Sequence, residues 1–174
     1  MKPSERAFAV SLLLSFCLRL TVVCEDFTGK VVGIGDDDTI TVMHDDKGEK
    51  IRLNGIDAPE KGQPFTNRAK QFVSELAFEQ EVRVETKGQD RYGRTIGDVF
   101  LPDGRNLNQE IVKAGFAWWF RRYAPKDTEL ERLETEARDA KRGLWVDPEP
   151  VPPWEFRKAT RNSRLEYFQK GVEP

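Results

Sequence analysis

Thr39 to Leu53, TITVMHDDKGEKIRL, is the stretch on which the reading of the fold turns. Thr39-Ile40-Thr41-Val42-Met43 is β-branched and predicts a strand. His44-Asp45-Asp46-Lys47-Gly48 is a polar turn, in which His44 is expected to be solvated. Glu49-Lys50-Ile51-Arg52-Leu53 leads back out. Upstream, Phe27 to Gly35 alternates weakly, as another strand, and meets the hairpin through the turn Asp36-Asp37-Asp38. The three segments form a meander. Downstream, Gly55 allows a bend, and Pro59 has no N–H to donate, so pairing ends there.

The period then changes. Ala69, Phe72, Val73 and Leu76 fall at helical spacing within Asn67 to Phe78. Gln80 to Thr86 alternates again, with Val82 and Val84 on one face. Lys87 to Gly93 is polar, and Thr95 to Leu101 is a fifth strand. A helix from Asn106, with Gln109 as its capping partner, carries Leu107, Ile111 and Ala114 and stops at Gly115. The next starts near Thr128 with Glu131 as partner, buries Leu130, Leu133, Ala137 and Ala140, and stops at Gly143. Five strands with an intervening helix predict an α+β fold, mainly β: a five-stranded barrel of the oligonucleotide-binding (OB) type with three flanking helices. Trp118, Trp119, Phe120, Trp145 and Trp154 are expected to fill and cover it.

With 174 residues, 38% hydrophobic and 33% charged, the chain suits one core plus appendages. Residues 1–24 differ from the rest. Lys2 and Arg6 precede the apolar run Ala7 to Leu18, which is too short to span a bilayer and fits an export signal. A lipoprotein signal, with Cys24 acylated, is the alternative, and membrane attachment is expected only then. The predicted organisation is a signal at 1–24, an OB-type barrel domain at 25–147, and a Pro-rich wrap with a loosely held basic tail at 148–174. Both cysteines, Cys17 and Cys24, fall in the signal, so the remainder has neither a disulfide nor a Cys/His zinc site. Without Lys2, Glu5, Arg6 and Arg19 the chain keeps 25 basic and 29 acidic residues. Contacts to an anionic polymer must therefore be local.

Five charged residues are candidates to meet: Asp38, Arg52, Asp57, Glu60 and Arg94. Asp38 and Asp57 sit at strand ends, where oxygen donors can hold a hard divalent cation. Glu60, after Pro59, can orient or deprotonate water. Arg52 lies between Ile51 and Leu53, so it faces away from them. It either clamps a phosphate with its planar fork or forms a structural salt bridge to Asp38 or Glu60. Arg94 is either a second clamp or a plain loop charge. Tyr92, beside Arg91, and Tyr123, beside Arg121 and Arg122, can stack on a nucleotide.

These pieces resemble the thermonuclease (staphylococcal nuclease-like) family. The resemblance rests on Asp-x-Asp-Thr at Asp36 to Thr39, Arg52, Asp-x-Pro-Glu at Asp57 to Glu60, and Asp-x-Tyr-Gly-Arg at Asp90 to Arg94, and it continues to Tyr123, Pro125 and Trp145. It implies an OB barrel with three helices and calcium-dependent cleavage of DNA and RNA, leaving a 3′-phosphate. By position, Asp38, Asp57 and the Ala58 carbonyl would hold Ca2+. Arg52, Glu60 and Arg94 would be catalytic, and Arg91, Tyr92 and Tyr123 would line the nucleotide site. A nucleic-acid substrate, a monomer and no stable protein partner are expected. Asp37 stands in place of a glycine, Ala58 in place of a threonine and Arg121 in place of a tyrosine. The loop after Glu60 is shorter than in the type member. The competing reading is a non-catalytic nucleic-acid or protein-binding module on the same barrel.

Overall fold

The computed structural model describes residues 25–35 and 38–169, with side chains to residue 163. Five strands close a barrel: β1 (Phe27–Ile34), β2 (Thr39–His44), β3 (Lys47–Leu53), β5 (Glu81–Gln89) and β6 (Thr95–Phe100). Their order around the barrel is β1-β2-β3-β6-β5. A two-stranded flap pairs β4 (Ile56–Asp57) with β7 (Trp118–Trp119). The helices are α1 (Thr66–Ala77), α2 (Leu107–Lys113), α3 (Thr128–Asp139) and α4 (Pro153–Gln169). The five-stranded OB-type barrel and its three expected helices are all present. Residues 1–24, where the export signal is expected, Asp36, Asp37 and residues 170–174 lie outside the described residues.

The β2–β3 hairpin forms as the pattern predicts, but its turn is only two residues, because His44, Lys47 and Gly48 join the strands. Asp45 and Asp46 take φ of 48° and 60° between the paired His44 and Lys47. Short polar side chains tolerate that left-handed conformation, and the resulting twist matches the strands. Ile40, Val42, Ile51, Val84 and Val99 are fully buried within the barrel. Gly29 sits where a Cβ would collide with the Met43 carbonyl, so the β1–β2 crossing needs glycine there.

Several local expectations are revised. His44 is not freely solvated: it stacks on Phe27 at 4.0 Å, and its Nδ1 lies 3.2 Å from Glu49 Oε2. Strand β5 runs on to Gln89 through a bulge at Thr86/Gly88, where a polar loop is expected. Asn106 caps α2 by accepting from the Gln109 N–H, as read, but α3 is capped by Asp127, which accepts from the Leu130 N–H. Ala140 is exposed, because α3 ends there. The C-terminal segment from Pro153 is a helix rather than a loose tail. Pro153 opens it, consistent with a residue that fixes φ and needs no N–H in the first turn.

The register decides where the site lies. β3 and β6 run parallel, pairing Arg52 with Ile96, and Arg52 also pairs with Thr39 across β2. Asp38, Arg52 and Arg94 thereby share one end of the barrel, at the bend that leads into β4.

Candidate active site

Ile51 and Leu53 point into the barrel, so Arg52 between them is forced to the opposite side. Its Nη2 lies 2.9 Å from Asp38 Oδ2 and 3.1 Å from Asp57 Oδ1. Its Nη1 donates to the Leu53 carbonyl at 3.0 Å. Here Arg52 is a salt-bridge partner, as one of its two readings expects, joined to Asp38 and to Asp57 rather than to Glu60. The two aspartates are neighbours because they grip the same nitrogen.

Asp57 is fully buried, on the short strand pressed against Trp118. Burial pushes its carboxyl above the ordinary Asp range. The hydrogen bonds and charges of Arg157 and Arg52 pull it back down, and nearby Asp38 raises it further. Ala58 is also buried, its side chain in the core cluster. The absent threonine hydroxyl thus falls on a wall position, which leaves the backbone as the only polar part of Ala58.

Glu60 is fixed through its backbone. Its N–H donates to Gln63 Oε1 at 2.8 Å, and its carbonyl accepts from the Thr66 hydroxyl at 2.7 Å. The start of α1 therefore anchors the loop that carries it. Its carboxylate, about two-fifths exposed at 38%, is paired with Arg157.

Arg94 is held from two sides. Its Nε donates to Asp90 Oδ2 at 2.8 Å, and its Nη1 donates to the Thr39 hydroxyl at 3.1 Å. That hydroxyl donates to Asp38 Oδ1 at 3.1 Å, so Arg94 joins the acidic pair through one bridging group. Asp90 Oδ1 also accepts the backbone N–H groups of Tyr92 and Arg94, which closes the turn. Burial raises the Asp90 carboxyl, but the hydrogen bonds from Arg94 and Tyr92 outweigh it, and the group lies below the ordinary range.

The nucleotide candidates fall on two separate elements. Arg91 and Tyr92 share the Asp90 turn, with Tyr92 72% exposed and the guanidiniums of Arg91 and Arg94 at 5.1 and 5.7 Å from its ring centre. Tyr123 is exposed and meets Phe120 edge-on at 4.9 Å. The Phe120 N–H donates to the Gly55 carbonyl at 2.8 Å, which ties this loop to the β3–β4 bend. Arg121 is committed elsewhere: its Nη2 lies 3.3 Å from Oε2 of the buried Glu134, whose Oε1 accepts the Trp119 N–H.

Two contacts at this corner escape sequence reasoning. Gln63 holds the Glu60 backbone N–H and also donates to the Val151 carbonyl at 2.9 Å. Arg157 of α4 places Nη2 2.7 Å from Asp57 Oδ2 and Nη1 3.3 Å from Asp57 Oδ1, and binds Glu60 as well. Burial lowers the Arg157 guanidinium, and its hydrogen bonds to Asp57 and Glu60 more than offset this and hold it above the ordinary value. The one sequence cue is Trp154, a large aromatic in a polar tail. It stacks on Phe120 at 5.3 Å and brings α4 to this end.

Among the described residues, no three His, Cys, Asp or Glu side chains gather as a metal cluster. The donors at hand are the two aspartates and the backbone beside Asp57. An all-oxygen set suits a hard divalent cation and not zinc. The mutual repulsion of Asp38 and Asp57 is what such a cation relieves.

Comparison with known proteins agrees with this geometry. The staphylococcal nuclease homologue family matches residues 50–147. The chain is 45% identical over 145 residues to an uncharacterised endonuclease of Escherichia coli O157:H7, spanning 83% of this chain and 94% of that one. It is 44% identical over 147 residues to a micrococcal nuclease of Shigella flexneri, covering 79% and 84% of the two chains. It is 36% identical over 166 residues to an uncharacterised endonuclease of Haemophilus influenzae, covering 94% and 92%. Barrel, charged corner and relatives together define a hydrolase of the nuclease class. The chain belongs to the staphylococcal nuclease homologue family.

Proposed function

We propose that the protein is a calcium-dependent endonuclease that hydrolyses DNA, RNA or both and leaves 3′-phosphate ends. One observation carries this reading: Asp38 and Asp57 converge on a single Arg52 nitrogen, with Glu60 three residues beyond Asp57. Asp38, Asp57 and the Ala58 carbonyl would hold the ion, which when bound stabilises charge on the phosphoryl oxygens. Glu60 orients the attacking water or accepts its proton. The water oxygen bonds to phosphorus as the P–O5′ bond breaks, and the departing oxygen takes up a proton from solvent and leaves as the 5′-hydroxyl. Arg94, aimed by Asp90, and Arg52 donate to the phosphoryl oxygens as their charge grows. Arg91, Tyr92 and Tyr123 flank the nucleotide, since exposed aromatic faces beside guanidiniums suit bases and phosphates.

Plasmid nicking in calcium, repeated with chelator, tests this. Cleavage that stops with chelator and leaves 3′-phosphate ends supports it. A pure protein that binds DNA in calcium without cutting it would be a binding module instead. The basic flank and short apolar run of residues 1–24 further support export, and the intact mass of the exported protein distinguishes a plain N-terminus from an acylated Cys24.

A further inference from the structure

We propose that Arg157 is a built-in competitor for the ion site: α4 lays a guanidinium on the carboxylate oxygens that a divalent cation must take, so docking of α4 and cation binding oppose each other. This inference rests on the calcium reading above.

Both Asp57 oxygens are engaged. Oδ1 faces Arg52 Nη2 at 3.1 Å and Arg157 Nη1 at 3.3 Å, and Oδ2 faces Arg157 Nη2 at 2.7 Å. The residue has no exposed surface. A cation can reach it only if one guanidinium withdraws. Arg52 is not free to do so. It sits on a barrel strand paired on both sides, and its side chain is 16% exposed. The Arg157 side chain is 43% exposed, on a helix whose residues 157–163 all face solvent. Among its described side chains, the other attachments of that helix lie at its start: buried Pro153, the Trp154 stack on Phe120, and the preceding Val151 carbonyl on Gln63. A segment held so sparsely opens at low cost.

Charge leads to the same choice. Asp38, Asp57 and Glu60 face Arg52 and Arg157. Three carboxylates balance a divalent ion plus one guanidinium. With both guanidiniums in place the ion would make the cluster net positive. The Arg157 cation is the one the geometry lets go. Its pairing with Glu60 means that withdrawal also frees the carboxylate assigned to the water.

The test uses full-chain protein and calcium chloride alone. Calorimetric titration of wild type, Arg157→Ala and Asp57→Asn gives the affinities, and hydrogen exchange follows the amides of 154–160. Expected are calcium binding at least roughly tenfold tighter in Arg157→Ala, since it no longer pays for an occupied site, and faster exchange in α4 of wild type when calcium is added. Equal or weaker binding by Arg157→Ala overturns the proposal, and so does unchanged or slowed α4 exchange in calcium-bound wild type. If binding is still lost in Asp57→Asn, the ion site stands and only the competition falls. Absence of calcium binding in both wild type and Arg157→Ala removes the ion site and the competition together. Should Arg157→Ala fail to fold, the wild-type exchange experiment decides alone.

Discussion

Two regions of the molecule hold the same carboxylate. The barrel rim presents Arg52 to Asp57 from a strand hydrogen-bonded on both sides, whereas the C-terminal helix presents Arg157 from a segment whose other attachments, among the described side chains, lie near its first turn. The contacts are alike in length and chemistry, yet their meaning differs. A guanidinium held by a closed barrel is part of the frame, because moving it would leave buried charge unpaired. A guanidinium on a solvated helix can leave, because water and free rotamers compensate much of what is lost. The stiffness behind an ion pair, more than its distance, decides whether it is permanent.

The largest expected effect tests whether the rim carries the chemistry. Glu60→Gln and Arg94→Ala should each slow phosphodiester cleavage by at least roughly 10²–10³-fold, the typical cost of one lost transition-state contact. Circular dichroism should stay unchanged. Near-native turnover in either would break the assignment. Next comes stability. Arg52→Ala leaves Asp38 and the buried Asp57 short of a partner and should cost about 3 kcal/mol, measured by urea unfolding. The same measurement on Arg157→Ala should show about 1 kcal/mol or less, because a half-exposed pair is screened. Equal costs for the two arginines would erase the distinction between frame and tail. The smallest effect concerns the Asp90 turn. An Asp whose folded pKa is lowered adds stability that is fully present above its unfolded value of about 3.9 and is lost as pH falls through the folded value. Protection of the Tyr92 and Arg94 amides should therefore fade only below about pH 4.

Much of this architecture is legible along the chain. The β2–β3 hairpin, the helical period of α1 and the Asn106 cap all depend on neighbours a few residues apart. The same holds for the turn that aims Arg94, since Asp90 bonds to residues two and four further on. Arg52 is half legible. Alternation shows that it faces away from the core, but its choice of Asp57 over Glu60 follows from the direction in which β4 leaves the barrel. The capping of α3 by Asp127 rather than Thr128 is a one-residue matter of where the helix begins, which pattern reading resolves poorly. Glu134 reads as an ordinary helical charge. It is buried because the Trp119 N–H, on a strand brought alongside by the flap, needs an acceptor.

By itself the sequence determined the barrel, its first three helices and five of the charged groups, because those rest on periodicity, turn chemistry and short-range spacing. Only the tertiary structure decided that Asp57 is fully enclosed, and that the cation enclosing it on its outer side comes from Arg157, 100 residues along the chain. That contact depends on how Trp154 stacks on Phe120 and thereby aims a terminal helix. Burial and partnership across such a distance are properties of packed surfaces, and no local pattern encodes which surfaces will meet.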